Sequence, residues 1–218
     1  MFDGPPSTSI LNRRKACQGP ALGAPSYRGR TQVAAATRFL RRNRGRVALI
    51  TVSIGGNDVT ACARGVPDPI ACVNEAVEDI ERNVGRLARR LRAAAGPKAR
   101  IVGLTYPDVV LGQWVTGQPA DQELARLSVV AFQALINPAL NETYESVDGR
   151  FVDVTEATGA YGSLEETVTL APYGVIPKPV AEVCRLTYYC EYRDIHARTV
   201  GYRLIADLIA QTLPRRHR

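Results

Sequence analysis

Continuous runs of β-branched and aliphatic residues most constrain the fold of this 218-residue chain. They are RVALITVSI at 46–54 and ARIVGLTY at 99–106, and a shorter run, RFVDV, follows at 150–154. Runs without polar alternation are typical of strands buried on both faces, as in a parallel sheet. Helical patterns lie between and after them. This alternation predicts a single α/β domain over residues 1–218 with a mostly parallel sheet, in which residues 1–27 form a loop-rich lead-in.

The clearest predicted helix lies between the first two runs and ends at Gly96-Pro97. Its apolar residues recur at alternating steps of four and three: Val73, Val77, Ile80, Val84, Leu87 and Leu91. Three further helices are predicted: about 27–44, a region after Pro119 that Pro138 breaks or kinks, and about 197–213. The first is expected to bury Val33, Ala36, Phe39 and Leu40, and the last to bury Tyr202, Ile205, Leu208 and Ile209.

Four of the five cysteines enclose short loops, Cys62 with Cys72 and Cys184 with Cys190. Neither spacing is a CxxC metal or redox pattern, so two local disulfides are predicted and Cys17 is left over. The alternative is a cytosolic protein with five reduced thiols. Disulfides indicate an oxidising compartment, yet the chain opens MFDGPPSTSI without a signal peptide. We therefore expect natural sequence upstream of this start.

The net charge of +7 is concentrated near the beginning of the chain. Residues 1–46 contain ten Lys and Arg and one acidic residue, whereas the rest is slightly acidic. A basic arm could contact phosphates, but Arg38, Arg41 and Arg42 fall in a predicted helix, where a solvated face is favoured over nucleic-acid binding. The longest apolar stretch, which begins at Val47, is too short to span a bilayer.

The candidate catalytic residues follow strands or precede the last helix. Gly55-Gly56-Asn57-Asp58 comes directly after the first apolar run. A glycine allows close approach of a ligand, and an Asn amide can donate to an oxyanion; the alternative is a simple turn with Asp58 capping a helix. His196 is predicted to open the final helix, where the positive end of the dipole favours a neutral imidazole. A capping or surface role is its alternative.

These residues resemble conserved blocks of the SGNH (GDSL-type) hydrolases, in particular the secreted actinobacterial esterase and lipase branch. ITVSIGGND is similar to the third block, whose Gly and Asn correspond to Gly55 and Asn57. DIHARTVGYRLIA is similar to the fifth block, with the catalytic His at His196, and GPPSTSIL is similar to the second, with the oxyanion glycine at Gly4. The cysteine pair before the final His, with YYC at Cys190, also recurs in that branch.

The resemblance implies a three-layer α/β/α, flavodoxin-like fold and acyl transfer to a serine, with no metal or organic cofactor. The chain departs from the family in two ways. No GDS occurs, and Ser7 and Ser9 lack a nucleophile elbow, so the serine and the first strand are expected upstream and this chain alone is expected to be nearly inactive. The family's acid usually lies three residues before the His, where this chain has Arg193; Asp194 or a backbone carbonyl is expected to orient His196 instead.

The resulting expectation is an exported ester hydrolase that acts on a small-molecule or lipid ester. Two alternatives remain open. One is a noncatalytic SGNH-like ligand-binding domain that has lost its serine. The other is a basic binder of nucleic acid or of an anionic surface, working through residues 13–46.

Overall fold

The computed structural model describes residues 31–60, 62 and 66–214. They form two compact units, each described by itself. The first unit contains the described residues up to Leu104 together with Ala139–Phe151. The second unit contains Thr105–Pro138 and the described residues from Val152 onward. The predicted single domain over residues 1–218 stays a prediction.

Helices and strands alternate along the described residues, as the sequence predicts. In chain order they are α1 (Gln32–Arg42), β1 (Leu49–Ser53), α2 (Gly56–Thr60), α3 (Pro69–Ala95), β2 (Arg100–Leu104), a 3₁₀ helix (Val109–Thr116), α4 (Pro119–Ala131), a π-helical turn (Phe132–Ile136), α5 (Asn137–Glu145), β3 (Arg150–Val152), α6 (Val154–Ala157), β4 (Thr167–Leu170), β5 (Gly174–Pro177), α7 (Lys178–Leu186), α8 (Tyr189–Tyr192) and α9 (Thr199–Gln211).

The main sheet has three strands in the order β1-β2-β3. β1 and β2 run parallel, with Leu49 opposite Arg100 and Ser53 opposite Leu104. Ile101 and Val102 of β2 are almost completely buried, as a central parallel strand requires. The predicted α/β class with a parallel sheet is therefore confirmed.

The long helix α3 forms much of the first unit's core through Ile80, Val84 and Leu87. It begins at Pro69, four residues before the first predicted apolar position, because the Asp68 side chain accepts the N–H groups of the first turn. It ends at Ala95, where Gly96 adopts a φ of 85°, as Gly96-Pro97 predicted. α1 packs against this helix and exposes its arginines, which agrees with a solvated face.

Two predictions of buried aromatic residues are wrong. Phe39 is 59% exposed, because α1 buries the face of Val33 and Leu40, and Phe39 directly precedes Leu40 and is turned away. Tyr202 is 55% exposed, because α9 contacts α7 through Gly201. A Cβ on Gly201 would lie 2.4 Å from the Leu186 carbonyl oxygen, and the next side chain points away from this contact.

Pro138 does not break the helical region after Pro119, because α5 continues from Asn137 to Glu145. A π-helical turn precedes Pro138, and Asn137 N–H donates to the carbonyl of Phe132, five residues back. This wider turn accommodates a residue that cannot donate a helical hydrogen bond. Farther along, β4 and β5 form an antiparallel hairpin that the sequence patterns missed.

Both predicted disulfides are present. The Cα atoms of Cys62 and Cys72 are 5.6 Å apart, and those of Cys184 and Cys190 are 5.2 Å apart, with each pair of sulfurs bonded. Cys17 lies outside the described residues. Among the helices of the described ranges, none is long and apolar enough to cross a membrane.

Candidate active site

His196 lies in the loop before α9, and the prediction that it opens this helix is wrong. α9 begins at Thr199, with Arg198 as its N-cap. Residues 196–198 are instead paired with 186–188: Thr187 and Ala197 form an antiparallel bridge, and Tyr188 N–H donates to the His196 carbonyl at 3.0 Å. The backbone before Arg198 is therefore held by this pairing and not by the helix. Since the dipole of a helix acts within its first turn, His196 lies outside the part of α9 whose dipole was expected to act on it.

The structure brings His196 and Asp194 into direct contact. Nδ1 of the imidazole is 2.5 Å from Oδ1 of Asp194, and the same oxygen accepts the His196 backbone N–H at 2.9 Å. These bonds hold the pKa of Asp194 below its usual value, the backbone hydrogen bond contributing most. A carboxylate at Nδ1 favours the tautomer with its proton there, which leaves Nε2 as the basic nitrogen. The pair is exposed, at 70% for the His196 side chain and 46% for that of Asp194.

Arg193 occupies the position where the resemblance expects an acid. Its backbone is left-handed, with a φ of 56°, and it ends α8. Its guanidinium lies 5.5 Å from the centre of the Tyr189 ring. The residue thus terminates a helical turn and packs on an aromatic ring, while Asp194 contacts the imidazole.

The glycine-asparagine segment follows β1 in the first unit. Gly55 has a φ of 112°, a conformation that L side chains rarely adopt, and its carbonyl accepts the N–H of Asp58 at 3.1 Å. Asn57 belongs to the short helix α2, and Asp58 lies in the first turn of that helix. Glycine is therefore required at position 55 by the backbone itself. Gly4, the other predicted oxyanion residue, lies outside the described residues.

The sequence patterns did not single out Asp108, a fully buried acid in the loop after β2. Its Oδ2 accepts the Ser128 hydroxyl at 2.7 Å, and its Oδ1 accepts the Val110 N–H at 3.0 Å. Burial raises its pKa to about 7, despite these hydrogen bonds. The acidic residue before an apolar run was the signal available, and it is typical of a helix cap.

A second network missed from the sequence follows β3. Tyr161 donates its hydroxyl hydrogen to Asp153 at 2.9 Å and accepts a hydrogen bond from the Asn137 amide at 2.6 Å. Burial, followed by the charge of Asp153, raises the pKa of Tyr161. Asp153 also caps α6 by accepting the Glu156 N–H at 2.8 Å. In the described part of the chain, no group of three or more His, Cys, Asp or Glu side chains could hold a metal ion.

A parallel α/β fold with an imidazole held by a carboxylate defines a class of proteins able to activate a nucleophile or a water molecule. The model of the GDSL-like lipase/acylhydrolase family matches residues 6–204, so the chain belongs to that family. Its fold is accordingly three-layer α/β/α, and its chemistry is hydrolysis of an ester-type small molecule. No curated protein and no solved structure matches the chain.

Proposed function

We propose that this protein is an exported carboxylic ester hydrolase, an esterase or lipase, that transfers an acyl group to serine and then to water. The observation that carries the proposal is the 2.5 Å contact between His196 Nδ1 and Asp194 Oδ1 in a chain of the acylhydrolase family. The two disulfides support export, because such bonds persist in oxidising compartments.

In the proposed mechanism, His196 Nε2 takes the proton of the serine as its oxygen attacks the ester carbonyl, and later returns a proton to the leaving alcohol. Asp194 keeps the imidazole in the required tautomer and stabilises the imidazolium. Asn57 and the backbone N–H groups of Gly4 and Gly55 are the proposed donors to the oxyanion. One such donor typically contributes about 2.7–4 kcal/mol. Water then releases the acid by the same route.

The serine is proposed to lie outside residues 1–218. No GDS motif occurs in the chain, and Ser7 and Ser9 are not flanked by the sequence motif of a nucleophile elbow. A histidine and an asparagine cannot replace a nucleophile, so this chain alone is proposed to be nearly inactive. The acyl donor is a small-molecule or lipid ester.

The test compares this chain with the same chain extended by the sequence encoded upstream. Both are assayed with p-nitrophenyl acetate and butyrate, and both are exposed to a fluorophosphonate that labels activated serines. The proposal expects hydrolysis and labelling of the extended chain, each lost in its His196→Ala variant. Activity equal to wild type in that variant would contradict the assignment. Ester binding without turnover or labelling would favour the noncatalytic alternative.

A further inference from the structure

The Asp194–His196 pair does not by itself fix where His196 lies. Both residues belong to one loop, so their contact orients the ring only relative to that loop. The pair is also exposed, and exposed ion pairs contribute little to stability. Other contacts must hold the loop in place.

Arg198 supplies those contacts. Its backbone N–H donates to the Leu186 carbonyl at 2.7 Å, next to the Thr187–Ala197 bridge. Its side chain folds back over the same segment: Nε donates to the Thr187 carbonyl at 2.8 Å, and Nη2 donates to Glu191 Oε2 at 2.7 Å. The guanidinium lies 4.7 Å from the centre of the Tyr188 ring. Arg198 therefore binds the histidine loop to the 186–191 segment through backbone carbonyls, the Glu191 carboxylate and the Tyr188 ring.

The segment that receives Arg198 is itself fixed. The Cys184–Cys190 disulfide closes it, and the fully buried Thr187 donates its hydroxyl hydrogen to the Val183 carbonyl at 2.7 Å. Tyr189 packs directly on Gly112, where a Cβ would lie 2.5 Å from its ring. A side chain bound to this segment is thereby tied to the core of the second unit.

We propose that Arg198 is a positioning residue for His196, with Glu191 as its partner. The guanidinium fork holds residues 194–198 against the disulfide-closed turn at 184–190, which sets the direction in which Nε2 points. Arg198 acts through His196 and does not touch the reacting atoms. The inference rests on the proposed function for the role of His196 as a base. Lysine, a point charge without the planar fork, would serve this role only in part.

The first test uses NMR and amide hydrogen exchange and needs no enzymatic activity. The sequence contains only two histidines, so their imidazole signals are readily told apart. The ¹⁵N signals of His196 are assigned with the His217→Gln variant, and amide hydrogen exchange is followed at Tyr188. In Arg198→Ala, loss of about one hydrogen bond's net energy should speed Tyr188 exchange roughly tenfold. The Nδ1–H tautomer of His196 should become less populated. Arg198→Lys and Glu191→Gln should show smaller changes and also serve if Arg198→Ala does not fold.

Arg185→Ala is the matched control. Arg185 pairs with Glu182 at 2.5 Å on the exposed face of α7 and leaves the histidine loop untouched, so Tyr188 exchange and the His196 signals should not change. A lower melting temperature with an unaltered His196 tautomer would show a purely structural role of Arg198 and would overturn the proposal. Unchanged exchange and an unchanged tautomer in Arg198→Ala would overturn the proposal.

Kinetics of the upstream-extended, active chain separate this proposal from the proposed function. Arg198→Ala should lower kcat about tenfold with KM unchanged, because a misplaced base costs rate and not ground-state binding. Hydrolysis that requires His196 but is unaffected by Arg198→Ala would overturn the positioning role alone. If no ester is hydrolysed while the Tyr188 and His196 changes occur, the proposed function fails and the positioning role is supported.

Discussion

Gly112 lies against the ring of Tyr189 so closely that a Cβ at position 112 would be 2.5 Å from Cδ1 of the ring. The same added atom would lie 3.3 Å from Cys190 Sγ. The 3₁₀ helix and the disulfide-closed turn therefore meet through backbone on one side and an aromatic ring on the other. This contact supports the disulfide-closed turn, whose residues 186–188 pair with the histidine loop.

Gly112→Ala should consequently destabilise the chain by about 1–3 kcal/mol, because the ring must move within a packed core. Urea unfolding followed by circular dichroism measures the change. Gly85→Ala is the control, since its Cβ would meet mainly the flexible end of Arg89, and alanine is favoured in the interior of a helix. Gly85→Ala should be neutral or stabilising. Equal stability of Gly112→Ala and wild type would show that the contact can relax.

Arg92 connects the end of α3 to the loop that follows it and to the loop between α5 and β3. Its guanidinium donates to the carbonyls of Ala99 at 2.6 Å, Val147 at 2.8 Å and Asp148 at 2.8 Å. Arg92→Lys should cost about 2–4 kcal/mol, since an ammonium cannot reach these oxygens together and partly buried carbonyls lose their donors. Arg90→Lys, on the exposed side of the same helix, should change the free energy of unfolding by less than about 0.5 kcal/mol. Chemical denaturation of both variants decides the matter.

Asp108 should make stability depend on pH. Burial raises its pKa from 3.8 to about 7, so the folded protein holds this proton more tightly than the unfolded chain does. The protonated Asp108 therefore stabilises the fold fully below the pKa that Asp108 has in the unfolded chain. This stabilisation is lost as the pH rises towards the pKa of Asp108 in the folded protein. Relative to Asp108→Asn, whose amide does not titrate, the wild type should lose stability between about pH 4 and pH 7.

Urea titrations of the two proteins at several pH values test this dependence. Comparing them cancels the contribution of groups that titrate in both. A difference in unfolding free energy that stays constant from about pH 4 to pH 7 would contradict a buried, protonated Asp108. Ser128→Ala, which removes the hydroxyl bound to Oδ2, should raise the pKa further and steepen the loss at its upper end.

The elements that sequence patterns predicted correctly are those fixed by neighbouring residues. The apolar runs predicted β1 and β2. The alternating four- and three-residue spacing of apolar residues predicted the long helix α3, and Gly96 predicted where it ends. The position of His196 was not predictable in this way. It depends on pairing with 186–188, and a strand bridge between distant residues leaves no periodic pattern. Asp194 was one of two groups expected to orient His196, and its 2.5 Å contact with the imidazole depends on a loop conformation that sequence patterns do not show.

The final prediction concerns how much the active, upstream-extended chain depends on each proposed site residue. His196→Ala should abolish hydrolysis of short p-nitrophenyl esters, because no other group takes the serine's proton. Asn57→Ala should lower kcat by roughly 10²–10³-fold, the usual loss of one oxyanion donor.

Asp194→Ala should cost less, about ten- to a hundredfold, since the carboxylate is exposed and water partly replaces its effect on the imidazole. The pKa of Asp194 is lowered, so its carboxylate stays ionised to a lower pH than a free aspartate, and its own titration should not contribute to the pH profile near neutrality. Steady-state kinetics across pH, with Glu182→Ala on α7 as a surface control, measure all three. A loss in Asp194→Ala as large as that in His196→Ala would mean that water cannot substitute for this carboxylate.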